Sequence, residues 1–121
     1  MILVDTSVWI DHLRKKNPQM ARLLDLNMVY VHPWIIGELA CGNLKNRATL
    51  RDLADLTQVV LASDEEVMTF LERHKLYGRG VGWVDLHLLA SAILTNCPFW
   101  TVDRALSKIA IELDVAFTPS V

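Results

Sequence analysis

The opening run Met1-Ile2-Leu3-Val4-Asp5-Thr6-Ser7 decides how the rest of the chain is read. Its apolar core, Ile2-Leu3-Val4, does not alternate with polar residues, so it is expected to form a strand covered on both faces. Similar short runs recur at Met28 to Val31, Val59-Val60-Leu61, Phe99 to Val102 and Val115 to Phe117, with helix-like stretches between them. Strand-helix-strand alternation with right-handed crossovers has few solutions other than a parallel sheet flanked by helices. The expected fold is an α/β domain with three α/β/α layers around a central, mostly parallel sheet.

Helix punctuation agrees with that frame. Asn17-Pro18 supplies a capping residue followed by Pro at the first helical position, after which Met20, Leu23 and Leu24 share a face. Ser63 and Glu66 have capping-box spacing, with Val67, Phe70 and Leu71 as the buried stripe behind them. Leu50, Leu53 and Ala54 do the same for a helix before the third strand, and Gly42 is placed to end the helix that carries Glu38. No repeat, low-complexity segment or linker interrupts the pattern, so a single domain spanning residues 1–121 is expected.

Composition narrows the function. A chain of 121 residues can bury a core without staples, and its two cysteines, Cys41 and Cys97, lie far apart without metal-site spacing. No run reaches the roughly 18 apolar residues of a bilayer span, and no export signal is visible, so a cytoplasmic protein without membrane contact is expected. An apolar content of 52% is high for this length and hints at a partner surface. The net charge of −2 is unlike the basic footprint of a general nucleic-acid binder, so any RNA would need local basic patches or bound cations.

Four acids stand out by position. Asp5 and Asp103 each directly follow an apolar strand, the carboxyl-end address where open α/β sheets bind ligands, although an aspartate there can also simply cap the next helix. Glu38 lies within Trp34-Ile35-Ile36-Gly37-Glu38-Leu39-Ala40, and Asp85 among Val84, Leu86, Leu88 and Leu89. A carboxylate in apolar surroundings is rarely buried without a partner or metal, while a first-turn acid favoured by the helix dipole remains the plain alternative. Taken together the four suggest concentrated negative charge. All-oxygen ligation with no His or Cys cluster selects hard ions, Mg²⁺ with Mn²⁺ able to substitute, and such ions support phosphodiester hydrolysis.

Asp5-Thr6-Ser7 after an N-terminal strand, the central Glu38, the stretch Asp85 to Ala92 and Thr101-Val102-Asp103 together resemble the PIN-domain family. Within it the likeness is to the VapC toxins of bacterial toxin–antitoxin pairs. The resemblance implies a PIN-like fold and a Mg²⁺- or Mn²⁺-dependent endoribonuclease, often a homodimer, that cuts cellular RNA and is silenced by a VapB-type antitoxin. It implies Asp5, Glu38, Asp85 and Asp103 as catalytic metal ligands. Ser7 and Thr101 would support them through hydrogen bonds, although Ser7 could equally be the N-cap of the first helix. Arg104 departs from the family pattern, which leaves the assignment of Asp103 intact but gives no ground for a further acidic ligand there.

Gly78-Arg79-Gly80-Val81-Gly82 lacks the Lys-Ser/Thr of a nucleotide loop and follows a helix rather than a strand, which excludes nucleotide binding. Arg79 is a candidate contact to an RNA phosphate, or part of a solvated turn. Arg14-Lys15-Lys16 and Lys45-Asn46-Arg47 could line an RNA path or simply face solvent. The four histidines share no ligand spacing and receive no role, and the four tryptophans are read as packing residues. Two other functions stay open. One is a housekeeping PIN nuclease in RNA processing, disfavoured because no RNA-binding module is appended; the other is a non-catalytic metal-binding interaction module in which the acids cap helices around a structural ion.

Overall fold

In a computed structural model, which describes residues 1–119, the chain runs β1 (Ile2–Val4), α1 (Thr6–Arg14), α2 (Pro18–Asp25), β2 (Val29–Val31), α3 (Pro33–Cys41), α4 (Thr49–Ala54) and β3 (Thr57–Gln58). It continues through α5 (Asp64–His74), α6 (Trp83–Thr95), β4 (Phe99–Trp100) and α7 (Arg104–Glu112). The strands pair in the order β3-β2-β1-β4, every pairing parallel, with Ile2 opposite Val29, Leu3 opposite Phe99 and Tyr30 opposite Thr57. The three-layer α/β/α expectation holds. Leu3 and Val4 are wholly buried, as befits a strand covered on both faces.

The strand order positions the site. From β1 the chain moves outward through β2 to β3, then crosses back to place β4 on the other side of β1. With right-handed crossovers, the outward connections put α1 to α4 on one face and the return puts α5 and α6 on the other. The order therefore reverses between β1 and β4, and the crevice of such a sheet opens at the carboxyl ends of those two strands. Asp5 and Thr101-Val102-Asp103 begin there.

Three expected strands differ. Val59-Val60-Leu61 follows β3 rather than forming it: the Val59 amide still donates to the Val31 carbonyl, but the Val60 and Ala62 amides donate to the Thr95 and Ser91 hydroxyls of α6. Those hydroxyls draw the chain off the sheet. Val115 to Phe117 contributes a single parallel bridge, Phe99 to Ala116, instead of a fifth strand. Similarly β4 stops at Trp100, because the Val102 amide turns to the Ser7 hydroxyl and the Val102 side chain stays exposed.

The capping expectations hold at Asn17, whose side chain accepts from the Met20 amide, and at Ser63 and Glu66, which form both halves of the capping box. Gly42 is the C-cap of α3. Cys41 and Cys97 are free thiols, and among the described residues no helix is long and apolar enough to cross a membrane.

Candidate active site

Asp5 is the best-organised carboxylate. It caps α1 through its main-chain carbonyl, leaving the side chain free, and is 5% exposed. Its Oδ2 accepts from the Ser7 hydroxyl at 2.6 Å and from the Thr101 hydroxyl at 2.7 Å. Each hydroxyl is itself an acceptor: the Val102 amide donates to Ser7 Oγ at 3.2 Å and the Asp103 amide to Thr101 Oγ1 at 3.1 Å. An ionised carboxylate can only accept, so at these short distances each hydroxyl donates its single proton to Asp5, and the two hydroxyls lie 3.3 Å from one another. One oxygen of Asp5 is thereby fixed, and the β1 and β4 ends are tied together. Ser7 is accordingly a member of α1 that braces Asp5 and not the N-cap of that helix, because Asp5 holds the cap position.

Asp103 is the N-cap of α7, its Oδ1 accepting from the Leu106 amide at 2.9 Å. Asp85 lies in the first turn of α6, and its Oδ2 accepts from the Gly82 amide at 2.9 Å. The two bland roles considered for these acids are thus real, and each role uses one oxygen. Among the described residues no hydrogen bond reaches the second oxygen of Asp5, Asp85 or Asp103. Burial pushes the Asp85 carboxyl above its ordinary range, the Gly82 amide opposes this, and the charges of Asp5 and Asp103 push it further up. Asp85 is therefore near enough to both Asp5 and Asp103 to feel their charge.

Glu38 differs from the expectation. It is exposed, because α3 buries Ile35 and Leu39 while turning Trp34, Gly37 and Glu38 outward. Thr6 Oγ1 donates to its Oε1 at 2.8 Å, which links it to the residue next to Asp5. Glu38 also lines a groove of about 430 Å³ with Ile10, Leu13, Arg14 and Lys45. Among the described residues no three Asp, Glu, His or Cys side chains stand as a ready-made ligand sphere. The fit to a divalent cation is therefore one of charge and chemistry: free carboxylate oxygens and like charges that raise Asp85 suit a hard cation, with side-chain rotation needed to complete the coordination.

Arg79 is committed elsewhere, its guanidinium forming two bonds to Glu112 at 2.7 and 2.9 Å. A phosphate would have to replace that carboxylate. Arg47 donates to the Ala40 carbonyl at the end of α3.

Two supporting residues escaped the sequence reading. Thr6 holds Glu38, and His32 caps α3 by accepting from the Trp34 amide at Nδ1. His32 had a visible signal, since His32-Pro33 repeats the cap-then-proline pattern of Asn17-Pro18. It is buried, and burial together with the nearby His87 lowers its pKa to about 4. Thr6 had no such signal, because its partner is 32 residues away. Trp9 and Trp100 are core residues as expected, whereas Trp34 and Trp83 pack on buried His87 with part of each indole exposed.

Several known proteins are similar to this chain. The chain is 42% identical over 123 residues to Ribonuclease VapC32 of Mycobacterium tuberculosis, covering 100% of this chain and 99% of the relative. It is 27% identical over 106 residues to Ribonuclease VapC1 of Methanocaldococcus jannaschii, covering 85% of this chain and 76% of the relative. The fold is similar to a chain in the crystal structure of FitAcB from Neisseria gonorrhoeae, at a TM-score of 0.60 and 23% identity, covering 98% of each chain. A family model described as PIN domain matches residues 2–112. With nearly all of its length matched by that model, and its strand-end aspartates at the switch point of the sheet, the chain belongs to the PIN domain family.

Proposed function

We propose that the chain is a Mg²⁺- or Mn²⁺-dependent endoribonuclease that hydrolyses RNA phosphodiester bonds as the toxin of a VapBC toxin–antitoxin pair. The observation that carries this reading is the grouping of Asp5, Asp85 and Asp103 at the β1–β4 switch point, where two of them perturb the third. The full-length similarity to a protein named as a ribonuclease supports RNA as the substrate class.

Asp5, Asp85 and Asp103 would hold the cation, with Glu38 as the fourth carboxylate. A bound divalent ion would offset their repulsion, polarise the scissile phosphate and make an attacking water more acidic. Ser7 and Thr101 orient Asp5 by pinning one of its oxygens, which leaves the other for the cation. Thr6 does the same for Glu38 from the neighbouring residue of α1. Arg14 and Lys45, which share a groove with Glu38, offer local positive charge to the RNA backbone and reconcile RNA binding with a net charge of −2.

A VapB-type antitoxin would silence the protein by placing a basic side chain among the carboxylates, neutralising their charge and excluding the cation together. The enzyme would work as a homodimer. The test is to express the wild type and Asp5→Asn without any partner and to sequence the RNA 5′ ends. Growth arrest with new, discrete RNA ends in the wild type alone is expected. The same ends in both, or none in either, would overturn the proposal.

A further inference from the structure

The two tryptophans outside the core share one address. Trp9 and Trp100 are buried, whereas Trp34 and Trp83 are each 37% exposed. Trp34 lies in the first turn of α3, four residues before Glu38 and so on the same stripe of that helix. Trp83 is the first residue of α6, and Asp85 the third. Both part-exposed indoles therefore stand at the N-terminal turns of the two helices that contribute Glu38 and Asp85.

What holds them is His87. It follows Trp83 by four residues, is buried, and meets both rings, with centroids 4.2 Å from Trp34 at 47° and 4.8 Å from Trp83 at 80°. Its Nε2 lies 3.0 Å from Asp64 Oδ1 at the start of α5. His32 closes the cluster, 6.0 Å from Trp34 edge-on and accepting at Nδ1 from the Trp34 amide. Each indole is thus braced by an imidazole while part of it stays in water, so little ring freedom remains to be lost when a ligand packs on it.

A leucine at either position would cover His87 and leave less apolar area in water. A flat, fixed, part-exposed indole offers instead what a nucleobase binds, since every base has a π-face and stacking does not depend on charge. That independence matters beside Asp5, Asp85 and Asp103, whose charges oppose the phosphates of an RNA.

We propose that Trp34 and Trp83 form a base-stacking subsite, in which a nucleobase of single-stranded RNA packs on the indoles and so positions a neighbouring phosphate at the carboxylates. The inference rests on the ribonuclease reading above and specifies how that site grips its substrate. His87 is a positioning residue, acting through the two rings.

Binding of a short single-stranded RNA to the full chain tests it, in an Asp5→Asn background so that the RNA stays intact. Trp34→Ala and Trp83→Ala should each weaken binding by roughly tenfold, the scale of one lost base–aromatic stack, and leave the slope of log K against log salt unchanged because no charge is removed. Trp34→Phe and Trp83→Phe should recover most of the loss, and circular dichroism checks that each variant is folded. Removing one base at a time from the RNA should reveal a position where the abasic RNA binds the parent more weakly, with no further loss on Trp34→Ala or Trp83→Ala. Alanine variants that bind like the parent, phenylalanine variants that lose as much as alanine, or an abasic series with no sensitive position would each overturn the subsite. Wild-type cleavage of the same RNA reports on the nuclease reading separately. An RNA that is cut yet bound equally by all variants sinks the subsite alone, and an RNA neither bound nor cut sinks both.

Discussion

Replacing Asp85 by Asn should change the sign of its effect on stability when metal is added. Asn keeps an oxygen to accept from the Gly82 amide, so the start of α6 is preserved, and only the charge is removed. That charge is partly desolvated and repelled by Asp5 and Asp103. Partly exposed charge pairs are worth about 0.2–1 kcal/mol each, so relieving two repulsions together with the burial cost should stabilise the metal-free protein by about 1 kcal/mol at neutral pH. For a chain of this size that is a rise in Tm of about 4 °C.

The pH dependence follows from the raised carboxyl. A group whose folded pKa lies above its unfolded value contributes stability that is fully present below the unfolded value, near ~4, and lost as pH rises through the folded one. The advantage of Asp85→Asn should therefore vanish in acid and level off above the raised pKa. In saturating Mn²⁺ the order reverses, because an ion present at a hundred times its Kd stabilises the wild type by about 2.7 kcal/mol and the variant has lost a ligand. Thermal melts in chelator and in Mn²⁺, repeated across pH, measure both effects. A variant less stable than wild type in chelator, or one gaining as much from Mn²⁺, would refute the reasoning.

Ser7→Ala removes a donor to the Asp5 carboxylate and an acceptor for the Val102 amide; a loss of about 2 kcal/mol in urea unfolding is expected, together with weaker RNA cleavage and an unchanged far-ultraviolet spectrum. His32→Asn retains an acceptor for the Trp34 amide but deletes a base whose pKa falls from 6.5 to about 4 on folding. Because the unfolded chain binds the proton more readily in that window, wild-type stability should fall as pH drops from 6.5 towards 4, and melts of the variant should fall less steeply. Arg79→Gln should leave the salt dependence of RNA binding unchanged if the Glu112 pair is its role, whereas a phosphate contact would lower the slope of log K against log salt by about 0.7.

The layered sheet was legible because continuous apolar runs and helix punctuation are local signals. Ile2-Leu3-Val4 and Phe99-Trp100 fall in strands where the pattern places them. What escaped was decided by distant partners. Val59 to Leu61 has the composition of a strand, yet hydroxyls on α6 take its amides, and neither Ser91 nor Thr95 announces that in sequence. Val115 to Phe117 likewise reaches only one bridge. At the site, Asp5 and Asp103 were readable from strand ends, since topology alone brings those ends together. Glu38 was misjudged in its surroundings: apolar neighbours in sequence do not mean burial when a nine-residue helix buries only Ile35 and Leu39. Asp85 shows the complementary case, where a first-turn cap and a place among repelling carboxylates belong to the same side chain.

The central claim is that these carboxylates act through a bound divalent ion on RNA, and cleavage of a defined single-stranded RNA by the purified chain tests it most directly. Cleavage should appear with Mg²⁺ or Mn²⁺, cease in excess chelator and return when the ion is restored, and it should be absent from Asp5→Asn and Asp103→Asn at every ion concentration. Cleavage that persists in chelator and in both variants would contradict the account.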